Sequence, residues 1–157
     1  MFSKEYTLWN EYGSTQKEKS IVLGPHSSYE WNHSRRRLLF SMARYKFAMK
    51  MISSMYQPNE KKILELGCSD GFGTHYIAEF AEYVLGVDFD EQAISYAKSE
   101  KKDKNVEFKL DNFLDKKYGE FDGIVSFDVI EHIYPEHEEN YMKTVMMNLS
   151  NLGGYLS

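Results

Sequence analysis

The pattern of apolar and polar positions changes character near residue 60. Across 1–34, polar and aromatic residues mix with turn formers, as in "EYGSTQ" and "LGPHSSYEWNHS". Neither the helical nor the strand period is kept there, so this part is expected to be an irregular arm or lid. From 35 to 55, "RRRLLFSMARYKFAMKMISSM" sets Leu38, Leu39, Met42, Tyr45, Met49, Ile52 and Met55 at helical spacing. The spacing predicts a helix capped by Ser34. "YQPNEK" should break it, because Pro58 disfavours a helical residue before it.

Beyond the break, short apolar runs alternate with amphipathic stretches. "KILELG", "YVLGVD", "VEFKLD" and "FDGIVSFDV" have strand length, while "GFGTHYIAEFAEY" and "DEQAISYAKSEKK" are helical. "PEHEENYMKTVMMNLSNLGG" reads as a last helix ending on glycine, and "YLS" as the start of a fifth strand. Strand and helix alternating at this interval predict an α/β fold. It is Rossmann-like, a mostly parallel sheet with helices on both faces, cut short after its fifth strand begins. The expected division is an arm over 1–34 and one ligand-binding domain over 35–157.

Composition narrows the classes. A chain of 157 residues supports one domain with a real core. No apolar run approaches a membrane span and the N-terminus lacks the order of a signal peptide, so the default expectation is a cytoplasmic protein without a membrane partner. Cys68 is the single cysteine, which excludes an intrachain disulfide and a cysteine-based zinc cluster. The net charge of −5 runs against a nucleic-acid surface and suits a cationic small ligand.

In an open parallel sheet the ligand lies beyond the carboxyl ends of the strands. After the first strand comes Glu65-Leu66-Gly67-Cys68-Ser69-Asp70-Gly71-Phe72-Gly73, a turn suited to close approach of a ligand to backbone. Ser69 stands where the dinucleotide pattern has its second glycine, and the Glu65 carboxylate would repel a diphosphate. Asp88, at the end of the second strand with Phe89 beside it, is placed to accept both hydroxyls of a ribose, and Asp90 to cap the next helix. The third strand leads into Asp111-Asn112-Phe113, two polar groups and a ring. The fourth leads into Phe127-Asp128-Val129-Ile130-Glu131-His132.

These segments together resemble the class I S-adenosylmethionine-dependent methyltransferases from residue 62 onward. "LELGCSDGFGT" is similar to the family's first motif, with Ser69 for its middle glycine; "VLGVDFD" resembles the second, "FKLDNF" the third and "FDGIVSFDVIEHI" the fourth motif of the small-molecule subgroup. The resemblance implies S-adenosyl-L-methionine as cofactor. Glu65, Gly67 and Gly71 would surround its methionine part, Asp88 would hold the ribose, and Asp111 and Phe113 would flank the adenine. Ser69, Asp70, Gly73, Phe89, Asn112 and Phe127 complete the expected cofactor site.

Each residue also has a plainer reading. A glycine turn is often only a turn, Phe89 and Phe113 suit packing, and Cys68 suits a buried filler without a basic neighbour to activate it. Arg35 to Arg37 suit a solvated helix start or a salt bridge to the cofactor's carboxylate. Methyl transfer needs alignment and a dry site more than covalent chemistry from the protein. A hydroxyl acceptor benefits from a base, for which His132 is the candidate, with Asp128 and Glu131 beside it; the alternative is a histidine that packs the loop. Asp128-x-x-Glu131-His132 also resembles the "E-x-x-E-H" of ubiquinone-biosynthesis-type O-methyltransferases, where such groups hold a divalent ion. With aspartate rather than glutamate in the first position, no metal is assigned. Three functions stay open: methyl transfer to a small molecule or sugar, with an O-methyl product favoured; a nicotinamide-dependent oxidoreductase; and a non-catalytic binding module. The exposed sheet edge suggests a homo-oligomer.

Overall fold

The computed structural model of the protein describes residues 3–15, 22–55 and 60–157. Three helices come first: α1 (Lys4–Thr15), α2 (Pro25–His33) and α3 (Arg35–Met55). Strands and helices then alternate as β1 (Lys62–Leu66), α4 (Phe72–Ala78), β2 (Tyr83–Asp88), α5 (Glu91–Glu100), β3 (Val106–Leu110), β4 (Phe121–Val125), α6 (Glu138–Asn148) and β5 (Leu149–Leu156). The five strands form one parallel sheet in the order β3-β2-β1-β4-β5. The order reverses between β1 and β4, and a crevice opens there at the carboxyl ends.

β1, β2 and β4 are buried on both faces, which is why they read as nearly unbroken apolar runs, whereas the edge strand β3 alternates buried and exposed positions. On one face Ile63, Val84, Val106 and Val125 pack with Met49 of α3, Ile77 of α4 and Ile94 of α5. On the other, Leu64, Leu66, Leu85, Val87 and Ile124 pack with Tyr141 and Val145 of α6. The α/β architecture expected from the sequence is the one observed.

Several local expectations need correction. The stretch read as an irregular arm carries two helices. α2 begins Gly24-Pro25, with proline at its first position, where its missing N–H costs nothing and its φ is already helical. α3 has the expected bounds, but Leu39 is 68% exposed while Ala48 is fully buried, so the core stripe is rotated away from Leu39. The break at 56–59, Pro58 included, and the side chain of Met55 lie outside the described residues. The last helix ends at Asn148 and does not reach the glycines; Gly153 and Gly154 belong to β5. Gly153 sits where the β4–β5 register shifts between Phe121 and Gly123, and a Cβ there would lie 2.6 Å from Leu149 Cδ1. A bulge needing a bare backbone explains the glycine better than a helix end does. Asp90 caps α5 as expected, accepting from the N–H groups of Gln92 at 2.8 Å and Ala93 at 3.0 Å.

Candidate active site

A cleft of about 550 Å³ lies over the carboxyl ends of β1, β2 and β4, walled by α2 and α3. It is lined by Gly67, Ser69, Asp70 and Gly73 of the β1 turn, and by Asp88, Phe89 and Asp90 after β2. Phe113, Phe127, Asp128, Glu131 and His132 line it as well. The turn after β1 holds Gly67 and Gly71 at φ 80° and Ser69 at φ 52°. Left-handed backbone makes glycine the unstrained choice at the first two.

The glycines answer to the protein before any ligand. A Cβ on Gly67 would stand 2.2 Å from Val129 Cγ2, on Gly71 2.5 Å from Phe108 Cζ, and on Gly73 2.1 Å from Tyr45 Cζ. Close packing of β3, α3 and the post-β4 loop around the turn therefore requires them. Gly71 is absent from the cleft wall.

Glu65 is buried at 1% exposure beneath that turn. Tyr45 Oη donates to its Oε1 and Thr74 Oγ1 to its Oε2, both at 2.6 Å. Burial pushes its carboxyl up to about 7, partly offset by the Thr74 and Tyr45 hydrogen bonds. Its oxygens are thus engaged by α3 and α4, and it does not line the cleft. Burial likewise raises the Tyr45 hydroxyl and the Cys68 thiol well above their ordinary values, so Cys68 is an inert filler.

Asp88 sits where the sequence put it, and its carboxylate is held by backbone. Oδ2 accepts the Ser69 N–H at 2.8 Å and Oδ1 the Asp90 N–H at 2.9 Å. These bonds fix its direction and leave lone pairs for a ligand's hydroxyls. Phe89 is 69% exposed at the rim. Asp111 and Asn112, by contrast, do not line the cleft. The Asp111 carboxylate caps its own turn through the Asn112 N–H at 2.8 Å, and Phe113 is 1% exposed in the core against Tyr141. Phe113 thus packs in the core while it also touches the cleft.

At the other end, Phe127 packs edge-on to Tyr45, with ring centroids 5.1 Å apart. Asp128 adopts φ 56° and forms an ion pair with Arg44 of α3. Glu131 and His132 are exposed on the 3-10 turn Ile130–His132. Among the described residues no group of three or more His, Cys, Asp or Glu side chains is placed to hold a metal ion.

Sequence reasoning missed the contribution of α2. Ser27 donates its N–H to Asp70 Oδ2 and its hydroxyl to Asp70 Oδ1, each at 2.8 Å, and His26 reaches Ser69 and Asp90. The Gly-Pro pair opening "GPHSS" was the signal that a helix starts there. No local pattern shows that it docks on the β1 turn.

A parallel sheet with its switch point open, a glycine turn and a strand-end aspartate define a small-ligand domain of the Rossmann-like class. A family model described as a methyltransferase domain matches residues 63–153, and the chain belongs to that family. A probable S-adenosylmethionine-dependent methyltransferase of Mycolicibacterium smegmatis is 30% identical over 78 residues, 48% of this chain and 30% of the relative. Phosphoethanolamine N-methyltransferase 1 of Triticum aestivum is 37% identical over 78 residues, 46% of this chain and 16% of the relative. The chain thus matches less than a third of the length of these curated relatives. The solved structure of a TehB-like SAM-dependent methyltransferase from Corynebacterium glutamicum superposes with a TM-score of 0.61 at 23% identity, over 80% of this chain and 70% of that one. At that identity it attests the fold. The family read from the four motifs is borne out; the narrower ubiquinone-type subgroup is not singled out. Among the described residues, no helix is long and apolar enough to cross a membrane.

Proposed function

We propose that the chain binds S-adenosyl-L-methionine and transfers its methyl group to a small molecule or sugar, with a hydroxyl as the acceptor group. The observation that carries the reading is Asp88, aimed into the cleft by two backbone amides inside the segment that matches the family. The residues present fit the cofactor. Six carboxylates (Glu30, Asp70, Asp88, Asp90, Asp128, Glu131) line the cleft against the guanidiniums of Arg37 and Arg44, a field that suits a cation. Bound there, the cofactor would supply a methyl group on a positively charged sulfur, a centre that needs alignment more than activation.

This chain's own groups do the rest. Asp88 accepts ribose hydroxyls, Phe127 and Tyr45 wall the reacting end, and the Arg44–Asp128 pair ties α3 to the loop after β4. His132 stands at the rim as the acceptor for a hydroxyl proton. An amine acceptor is the second reading, favoured by Asp128 and Glu131 at the same mouth and by the likeness to an N-methyltransferase. The nicotinamide alternative loses its ground with the family match.

Calorimetric titration with S-adenosylmethionine, S-adenosylhomocysteine and NAD tests the cofactor. Binding of the first two and not the third is expected; NAD binding alone would overturn the reading. Turnover on hydroxyl and amine acceptors tests the reaction. His132→Ala is expected to lower kcat by about 10²-fold or more with a hydroxyl acceptor, the range for a general base, and to leave cofactor affinity unchanged. An equal rate would return His132 to a packing role, and no turnover on any acceptor would favour a binding module.

A further inference from the structure

We propose that His26, in the first turn of α2, is a positioning residue for the cofactor: through Ser69 it presents an acceptor oxygen to a hydrogen-bond donor on that ligand. The inference rests on the cofactor reading above. His26 is the middle of a chain of three side chains drawn from three segments of the fold. Its Nδ1 lies 2.6 Å from Ser69 Oγ and its Nε2 lies 3.2 Å from Asp90 Oδ2.

The direction of the hydrogens follows from the partners. A carboxylate has no hydrogen to give, so the Asp90 contact places a hydrogen on Nε2. On a neutral imidazole Nδ1 is then the acceptor, and the Ser69 hydroxyl must donate to it. Its single hydrogen being used on the ring, Ser69 turns only lone pairs toward the cleft that it lines.

Three further observations make this a built arrangement. Ser69 pays a conformational cost at φ 52°, where glycine would sit freely, so the hydroxyl is what serine adds at this position. Its backbone N–H is already held by Asp88 Oδ2 at 2.8 Å, which sets the hydroxyl next to the carboxylate assigned to the ribose. The first turn of α2 is also seated firmly. Ser27 makes two bonds of 2.8 Å to Asp70, and Gly24 lies so close that a Cβ would stand 2.4 Å from Asp70 Oδ2. The donor on the ligand is a ribose hydroxyl or the ammonium of its amino-acid end; both have the chemistry, and adenosine, which has only the first, separates them.

The test is calorimetric titration of S-adenosylhomocysteine and adenosine into the 157-residue chain and its variants. Asparagine at position 26 keeps an amide oxygen near the place of Nδ1, whereas glutamine reaches the place of Nε2. His26→Gln and Ser69→Gly are each expected to weaken S-adenosylhomocysteine about tenfold, the worth of one hydrogen bond of ~1.4 kcal/mol. His26→Asn should stay within about threefold of wild type, or ~0.7 kcal/mol. The His26→Gln/Ser69→Gly double variant should be no weaker than either single one, since both break the same link. An equal loss with adenosine assigns the ribose hydroxyl, and a loss confined to S-adenosylhomocysteine assigns the ammonium. Melting curves establish that each variant is folded, with Ser69→Ala replacing the glycine variant if that one is not. Wild-type affinity for both ligands in the glutamine and glycine variants, or a loss in His26→Asn equal to that in His26→Gln, overturns the proposal. Failure of the wild type itself to bind either ligand overturns the cofactor reading instead.

Discussion

At Glu65 the fold buries a carboxyl that accepts hydrogen bonds from two hydroxyls, those of Tyr45 and Thr74. Its ordinary value of 4.5 rises to about 7 on folding, chiefly through burial. Because the folded value lies above the unfolded one, the native state holds the proton more tightly. The contribution of Glu65 to stability is therefore greatest below pH 4.5, falls as the pH rises to about 7, and is level beyond. The span corresponds to a cost of about 3 kcal/mol for ionised Glu65. Glu65→Gln keeps a partner for each hydroxyl without titrating. Its stability relative to wild type should grow across that window, and denaturant titrations at several pH values check it; a constant difference would mean that Glu65 does not ionise there. Asp88, by contrast, is a carboxylate whose two oxygens accept from backbone amides. Asp88→Ala should cost about 1.5–3 kcal/mol of cofactor affinity, the range for charged hydrogen bonds. It should also lower the melting temperature, because the Ser69 and Asp90 N–H groups lose their acceptor. Unchanged titration would refute the ribose assignment.

At the scale of elements, the junctions carry the information that sequence patterns lacked. α2 has no buried apolar stripe of its own; Ser27 is its one buried residue, and Asp70 accepts two hydrogen bonds from it. Asp70→Ala should release the first turn of α2 from the β1 turn, raising hydrogen exchange across 25–33 while β1 and β2 stay protected. Protection unchanged over 25–33 would show that contacts with α3 and α5 suffice. The α6–β5 junction is set by Asn148, fully buried. Its Oδ1 accepts from the Tyr118 and Gly119 N–H groups and its Nδ2 donates to the Lys116 and Thr144 carbonyls. One side chain thus closes the loop before β4 and ends the helix, so chain direction changes there and not at the later glycines.

At the scale of the molecule, the two edges of the sheet differ. β3 ends one side with Glu107 and Lys109 exposed, charges that discourage pairing with another strand. β5 ends the other side with no charged residue in "LSNLGGYL" and pairs with β4 alone. This 157-residue chain is therefore expected to self-associate through β5 at ~100 μM, as light scattering would detect. Gly154→Lys is the control, since a Cβ there meets nothing within 4 Å. The charge should restore the monomer, and a monomeric wild type would show that the edge is protected by other means.

What the sequence determined by itself was carried by contacts within a few residues. Apolar periods laid out the strands and helices of 62–157. The cap at Asp90 could be read because it acts on residues two and three positions on. The polar strand ends placed Asp88, Asp128 and His132 at one crevice, since a parallel order aligns all carboxyl ends together. Tertiary structure alone decided which partners those groups have. Glu65 meets Tyr45 from twenty positions upstream, Asp70 meets Ser27 across forty-three, and Asp128 meets Arg44 across eighty-four. Phe113 shows the limit from the other side: its strand end was legible, but its place in the core depended on Tyr141 of α6 packing against it. The glycines of the β1 turn were visible as letters. Their cause is the crowding of Val129, Phe108 and Tyr45, which exists only once distant segments have packed.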